Sequence, residues 1–221
     1  MTERDLNVLE HIALYQITIP AVVSRLWFQD RPSEHLLRRL RETGLVDATP
    51  FRPGRSAYYT LSTSGWRTLK LRPPRRLGSF ALHRALAVLW FCVFGKHRRT
   101  RVSPEDLEQY LGEQSTHADV HCWQDEPGPI IFRVLSGQSD DHSLQRLETL
   151  VDELRRDPRA GPGLKMGRYG FALLVDREQR VEPLERSIAT LRDKQRLDPQ
   201  TVVIVERVES PETIVEKDRA H

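Results

Sequence analysis

The apolar positions at the start of the chain follow helical spacing. Thr2 precedes Glu3 and Asp5, a capping residue followed by acids, and Leu6, Leu9, Ile12 and Ala13 recur on one face, predicting a helix to about Tyr15. Thr18 can cap a short second helix with Pro20 in its first turn, and Val22, Val23 and Leu26 would face inward as far as about Phe28. After Gln29-Asp30-Arg31-Pro32, Ser33 caps a third helix, Glu34 to Glu42, closed by Gly44 at a position suited to positive φ. At 100° per residue Leu36, Leu37 and Leu40 cluster on one side and Arg38 lies nearly opposite. The period then changes to two. Leu45 to Phe51 and Ala57 to Leu61 read as strands joined through Arg52-Pro53-Gly54-Arg55, a hairpin with a turn mechanism, and a short helix follows to about Leu69.

Beyond Leu71-Arg72-Pro73-Pro74-Arg75-Arg76-Leu77-Gly78, a hinge that cannot continue a helix, Ser79 to Phe94 reads as one long and mostly apolar helix. A helix apolar on nearly every side needs two neighbours, by spanning both domains or by forming a dimer seam. Ser103-Pro104-Glu105-Asp106 opens another helix. Ala118 to Trp123 and Ile130 to Leu135 read as strands, Asp141 or Ser143 to Arg156 as a helix, and Tyr169 to Val175 as a buried strand. Glu178 to Lys194 is a further helix and Thr201 to Val205 a last strand. That order predicts an α/β domain with helices covering a mixed sheet. The organisation expected is 1–70, a linker 71–78, a second domain 79–210 and a charged tail 211–221.

Charge sharpens the division. The net charge is +3, but residues 1–101 carry 18 Lys and Arg against 7 Asp and Glu, and residues 102–221 carry 16 against 24. A basic first half suggests a polyanion-binding module joined to something with another task. Ala85 to Phe94, the most apolar stretch, has half the ~20 residues that a membrane span needs, and the N-terminus lacks a signal peptide's layout, so the expected location is cytoplasmic. Cys92 and Cys122 form no CxxC and read as buried thiols.

Three helices followed by a hairpin with arginine on both sides of its tip, in LLRRLRETGLVDATPFRPGRSAYYTLSTSGWRTL, resemble a winged helix-turn-helix domain. The resemblance implies that the third helix enters the major groove and the wing touches flanking backbone. Ser33, His35, Arg38 and Glu42 would then face bases, and Arg39, Arg41, Arg52 and Arg55 would meet phosphates. Chemistry supports the assignment, since a guanidinium fork fits guanine edges and phosphate oxygens, and each neutralised phosphate releases counterions. Arg72, Arg75 and Arg76 would track a phosphate backbone or sit in a solvated linker. The run Lys96 to Arg101, with Arg98, Arg99 and Arg101, would be a further nucleic-acid contact or a solvated turn.

The second half resembles the restriction-endonuclease-like, or PD-(D/E)xK, core. With HADVHCWQDEPGPIIFRVLSG and YGFALLVDREQRVEPL, the whole is similar to the replication-relaxation family of plasmid and mobile-element proteins, and Asp119 matches that family's aspartate at the first core strand. The departure is at Arg133-Val134-Leu135, where Glu-x-Lys would be expected. A nuclease of this fold needs paired acids to hold Mg²⁺, and a cation stands in that place. Asp119 and Arg133 therefore mark a vestigial site, with Asp125, Glu126, Asp140 and Asp141 as substitute ligands in an alternative, metal-dependent nuclease reading. No phosphate-loop, dinucleotide or nucleophile-elbow motif is present. Gly161 to Gly167 reads as a flexible loop, and an extended strand would set His121 and Cys122 on opposite faces. The function expected is sequence-specific binding of double-stranded DNA by a homodimer. It would act as a nucleoid-associated regulator or replication accessory factor with no enzymatic activity, cofactor, metal or membrane contact, and the second domain would serve dimerisation or a protein partner. A protein-interaction adaptor is the third reading.

Overall fold

The structure is a computed structural model that describes residues 1–51, 57–74, 77–111, 120–126, 128–136, 140–158 and 160–208. It is a mixed α+β fold with two compact units, which divide between Leu89 and Trp90.

In the first unit α1 (Glu3–Tyr15) is closed by a reciprocal capping box. The Asp5 amide donates to Thr2 Oγ1 at 3.2 Å and the Thr2 amide donates to the Asp5 carboxylate at 2.7 Å. α2 (Pro20–Trp27) begins with its proline as expected, but its cap is Ile19, not Thr18. Thr18 instead exchanges two backbone hydrogen bonds with Tyr59, and a residue extended by such a bridge is not placed to cap a helix. Leu26 is 42 % exposed, contrary to its expected inward position, because Trp27, four residues on from buried Val23, fills that side.

α3 (Glu34–Glu42) buries Leu36, Leu37 and Leu40, and Gly44 follows at φ 71°. β1 (Val46–Pro50) and β2 (Ala57–Leu61) pair antiparallel, with Val46 opposite Leu61 and Pro50 opposite Ala57. α4 (Thr63–Thr68) is capped by Ser62, whose hydroxyl accepts from the Gly65 amide at 3.1 Å. Only glycine fits at 65, where a Cβ would stand 2.2 Å from the Leu45 carbonyl oxygen. One core joins Val8, Leu9 and Ile12 of α1 to the α3 leucines and Trp66.

The remaining elements are α5 (Ser79–Val93), β3 (Arg99–Arg101), α6 (Pro104–Leu111), β4 (Val120–Gln124), β5 (Ile130–Ser136), α7 (Asp140–Arg156), α8 (Ala160–Lys165), β6 (Tyr169–Val175), a 3₁₀ turn at Glu178–Arg180, α9 (Val181–Asp193) and β7 (Val202–Arg207). The Gly-rich segment expected to be a loop holds α8, which buries Ala160, Gly161 and Leu164. Arg99 to Arg101, expected in a contact or turn, form an edge strand.

The five-stranded sheet runs in chain order, antiparallel from β3 to β5 and parallel from β5 to β7. Its face bearing Ile131, Tyr169, Phe171 and Leu173 packs on leucines of α7, α8 and α9. On the opposite face Phe132 meets Phe91 edge to face at 6.3 Å, and the Cys122 and Cys92 sulfurs lie 3.5 Å apart as buried thiols. Burial and the neighbouring Cys92 push the Cys122 thiol well above its usual value. Among the described residues no helix is long and apolar enough to cross a membrane.

Candidate nucleic-acid interface

The amphipathic period of α3 places its polar residues outward. His35, Arg38, Arg41 and Glu42 are exposed, and Arg38 and Arg41 make no ion pair with any described residue. Two guanidinium groups one helical turn apart on a rigid element suit bidentate partners such as phosphates or guanine edges.

Arg39, on the shoulder, is committed in part. Its guanidinium donates to the buried Asp5 carboxylate while the side chain stays 51 % exposed. Burial pushes the Asp5 carboxyl upward, but the Thr2 amide and the Arg39 hydrogen bond outweigh it and hold the group below its ordinary value. The same carboxylate thus caps α1 and anchors α3.

Ser33 corrects two expectations. It is fully buried, it makes no side-chain cap, and it is not available to a base. Its hydroxyl donates to the Pro20 carbonyl at 3.1 Å and accepts from the Ser24 hydroxyl at 2.9 Å, so it ties the start of α3 to α2. Ser33 is a positioning residue.

Arg4 is a cation that sequence reasoning missed. Its guanidinium lies 4.9 Å from the Phe28 ring centre, and the His35 ring stands nearly perpendicular to the same ring with centres 5.4 Å apart. Nothing local to Arg4 signals this; it depends on where the chain turns after α2.

The remaining candidate cations divide sharply. Arg52, Arg55, Arg75 and Arg76 lie outside the described residues, as does Asp119. Arg72 and Arg98 are exposed, and Arg101 is half-buried opposite Cys122. Arg99 contradicts its expected role, because its side chain is 1 % exposed. It donates to Gln124 Oε1 at 2.8 Å, pairs with Glu206 at 3.0 Å, and lies 3.9 Å from the Phe91 ring centre. A cation so enclosed serves the fold.

Arg133 is half-buried in β5, between His121 of β4 and Phe171 of β6. His121 and Cys122 point to opposite faces as alternation requires. The His121 ring meets the Tyr169 hydroxyl at 2.8 Å, while Cys122 faces Cys92. Of the substitute acids, Asp140 accepts from Arg180, which also donates to Asp176 at 2.9 Å, and Asp125 accepts from the Trp123 indole. Burial works against the charge of Arg180, but the two carboxylates more than restore it and raise its pKa. Among the described residues no three His, Cys, Asp or Glu side chains gather to hold a metal ion.

Compared with protein-family models, curated proteins and solved structures, the chain matches none.

Proposed function

We propose that the chain is a sequence-specific DNA-binding protein whose first unit is a winged helix-turn-helix module with α3 as its reading element. The observation that carries this reading is the pair Arg38 and Arg41, exposed and without an ion pair among the described residues, on a helix fixed from behind by three leucines and by the Ser33 and Asp5 ties. A cation left unpaired on a rigid, well-anchored helix costs the fold nothing when it meets a polyanion. His35 lies one turn before Arg38 on the same helix, and Arg4 meets the Phe28 ring that His35 also meets; Arg52 and Arg55, in the sequence between β1 and β2, lie outside the described residues. The second unit is read as a nuclease-like scaffold without catalytic activity, used for self-association or a protein partner. The Asp140 carboxylate, engaged by Arg180, favours that over hydrolysis. The resemblance to the replication-relaxation family adds the role of regulator or replication accessory factor, with two copies reading paired half-sites.

Fluorescence anisotropy of a labelled duplex tests the reading. Affinity should fall steeply between about 50 and 200 mM salt, and Arg38→Ala with Arg41→Ala should weaken binding by ~10- to 100-fold and flatten the salt slope by about two. Salt-independent binding, or a double variant that binds as the parent does, would overturn it.

A further inference from the structure

The first turn of α1 reaches α3 by two routes. The Asp5 carboxylate accepts from Arg39, and its neighbour Arg4 lies over the Phe28 ring, which the His35 ring also meets. His35 and Arg39 are four residues apart on α3, so both lie on one side of that helix, and both are exposed. Two consecutive residues of α1 therefore border the helix that presents Arg38 and Arg41.

The two cations on this border are held differently. Arg39 spends N–H donors on a carboxylate, whereas Arg4 is exposed and makes no hydrogen bond or ion pair with any described residue. A ring attracts the charge of a guanidinium without consuming its N–H donors, so Arg4 is held in place with its fork still to give. Phe28 is itself fixed, since its side chain packs against the core shared by α1 and α3 and its amide donates to the Ser24 carbonyl at 3.0 Å. A surface arginine ordinarily loses rotamer freedom on binding, and a ring that already limits that freedom lowers the cost. An acceptor that occupies α3 and also offers closely spaced anions to a neighbouring cation is the backbone of a duplex.

We propose that Arg4 is a phosphate-binding residue of the same interface, holding the DNA backbone beside the first turn of α3, with Phe28 as the positioning residue beneath it. This rests on the reading of α3 as the DNA-binding helix. A phosphate contact carries no sequence information, so Arg4 contributes to affinity and not to the choice of site.

Anisotropy titrations of the full chain with a labelled random-sequence duplex, repeated across a salt series, test it. Arg4→Gln should weaken binding by ~3- to 10-fold and lower the salt slope by about one, and Arg4→Lys should keep the parent slope. Phe28→Leu keeps the charge but not the platform, so it should weaken binding with the slope retained, and Arg4→Gln should cost less in that background than in the parent. A parent that binds with a steep salt dependence beside an Arg4→Gln variant of the same affinity and slope would overturn this proposal and leave the reading of α3 standing. An Arg4→Gln variant that binds more weakly with the parent slope would also overturn it, because the loss would not be that of a phosphate contact. A parent without salt-dependent binding would overturn both.

Discussion

Arg38 and Arg99 both come from basic runs in the first half of the chain, yet the fold uses them in opposite ways. Arg38 stands in solvent on α3, backed by leucines, with no ion pair among the described residues. Arg99 lies in the second unit with 1 % of its side chain exposed, enclosed by Phe91, Gln124 and Glu206. Burying a guanidinium costs several kcal/mol, which its hydrogen bonds and ion pair must offset, so little of that charge is left for a ligand. The first unit shows the converse at His11. This ring lies 4.5 Å from Tyr15 and 5.3 Å from Trp27, and its Nε2 is buried with no hydrogen-bond partner among the described residues. The second unit buries a cation and compensates it, whereas the first keeps its His11 imidazole neutral and leaves Arg38 and Arg41 exposed. A run of charge in a sequence therefore does not count contacts; the period of the element decides which members of the run remain available.

Glu206→Gln breaks the comparison most severely. It leaves the Arg99 charge in place without its counter-charge, and should cost about 3–5 kcal/mol in urea unfolding. DNA affinity of the folded variant should not change. A cost under ~1 kcal/mol would show that Arg99 reaches water and belongs with Arg38 after all.

His11 sharpens the other side through pH. Burial pulls its pKa from 6.5 to about 4, so below pH 6.5 the unfolded chain takes up a proton that the folded chain refuses. The stability that this group contributes is complete above pH 6.5 and declines as pH falls towards 4. Since the ring is not wholly enclosed, the expected loss is ~2–3 kcal/mol across that window. Urea midpoints measured from pH 7 to 4.5 should show it, and His11→Phe should flatten the profile. A parent profile already flat would place the ring in water.

Much of this was legible in the sequence and some was not, for reasons that particular residues show. The Thr2 box, the α3 leucines and the turn at Gly44 are local, and each is encoded within a few residues. The outward placement of Arg38 and Arg41 follows from the helical period alone. The sequence misleads at Ser33 because capping and a tertiary hydrogen bond call for the same hydroxyl, and the Pro20 carbonyl that accepts it lies on another helix. The burial of Arg99 is hidden in the sequence because three strand residues carry too short an alternation to reveal it. Gly161 to Gly167 reads as a loop because glycine and proline have poor helix propensity, which the burial of Ala160 and Leu164 in α8 overrides.

The smallest expected effect tests the residue between the two cases. Arg39 is half-exposed and yet bound to a buried carboxylate, so its pairing is worth less than the Arg99 pair and more than nothing. A double-mutant cycle of Asp5→Asn and Arg39→Ala should give a coupling of ~0.5–1 kcal/mol near neutral pH. Asparagine keeps an oxygen for the Thr2 amide, so the cycle isolates the charge pair from the cap. Because the Asp5 carboxyl is held below its ordinary value of 3.8, the coupling should persist down to that pH and vanish as pH falls well below it. Arg39→Ala should also weaken DNA binding less than Arg38→Ala does, since Arg39 must leave Asp5 to reach a phosphate. Equal losses would show that Arg39 exchanges one anion for the other without cost, and would move it to the available side of the comparison.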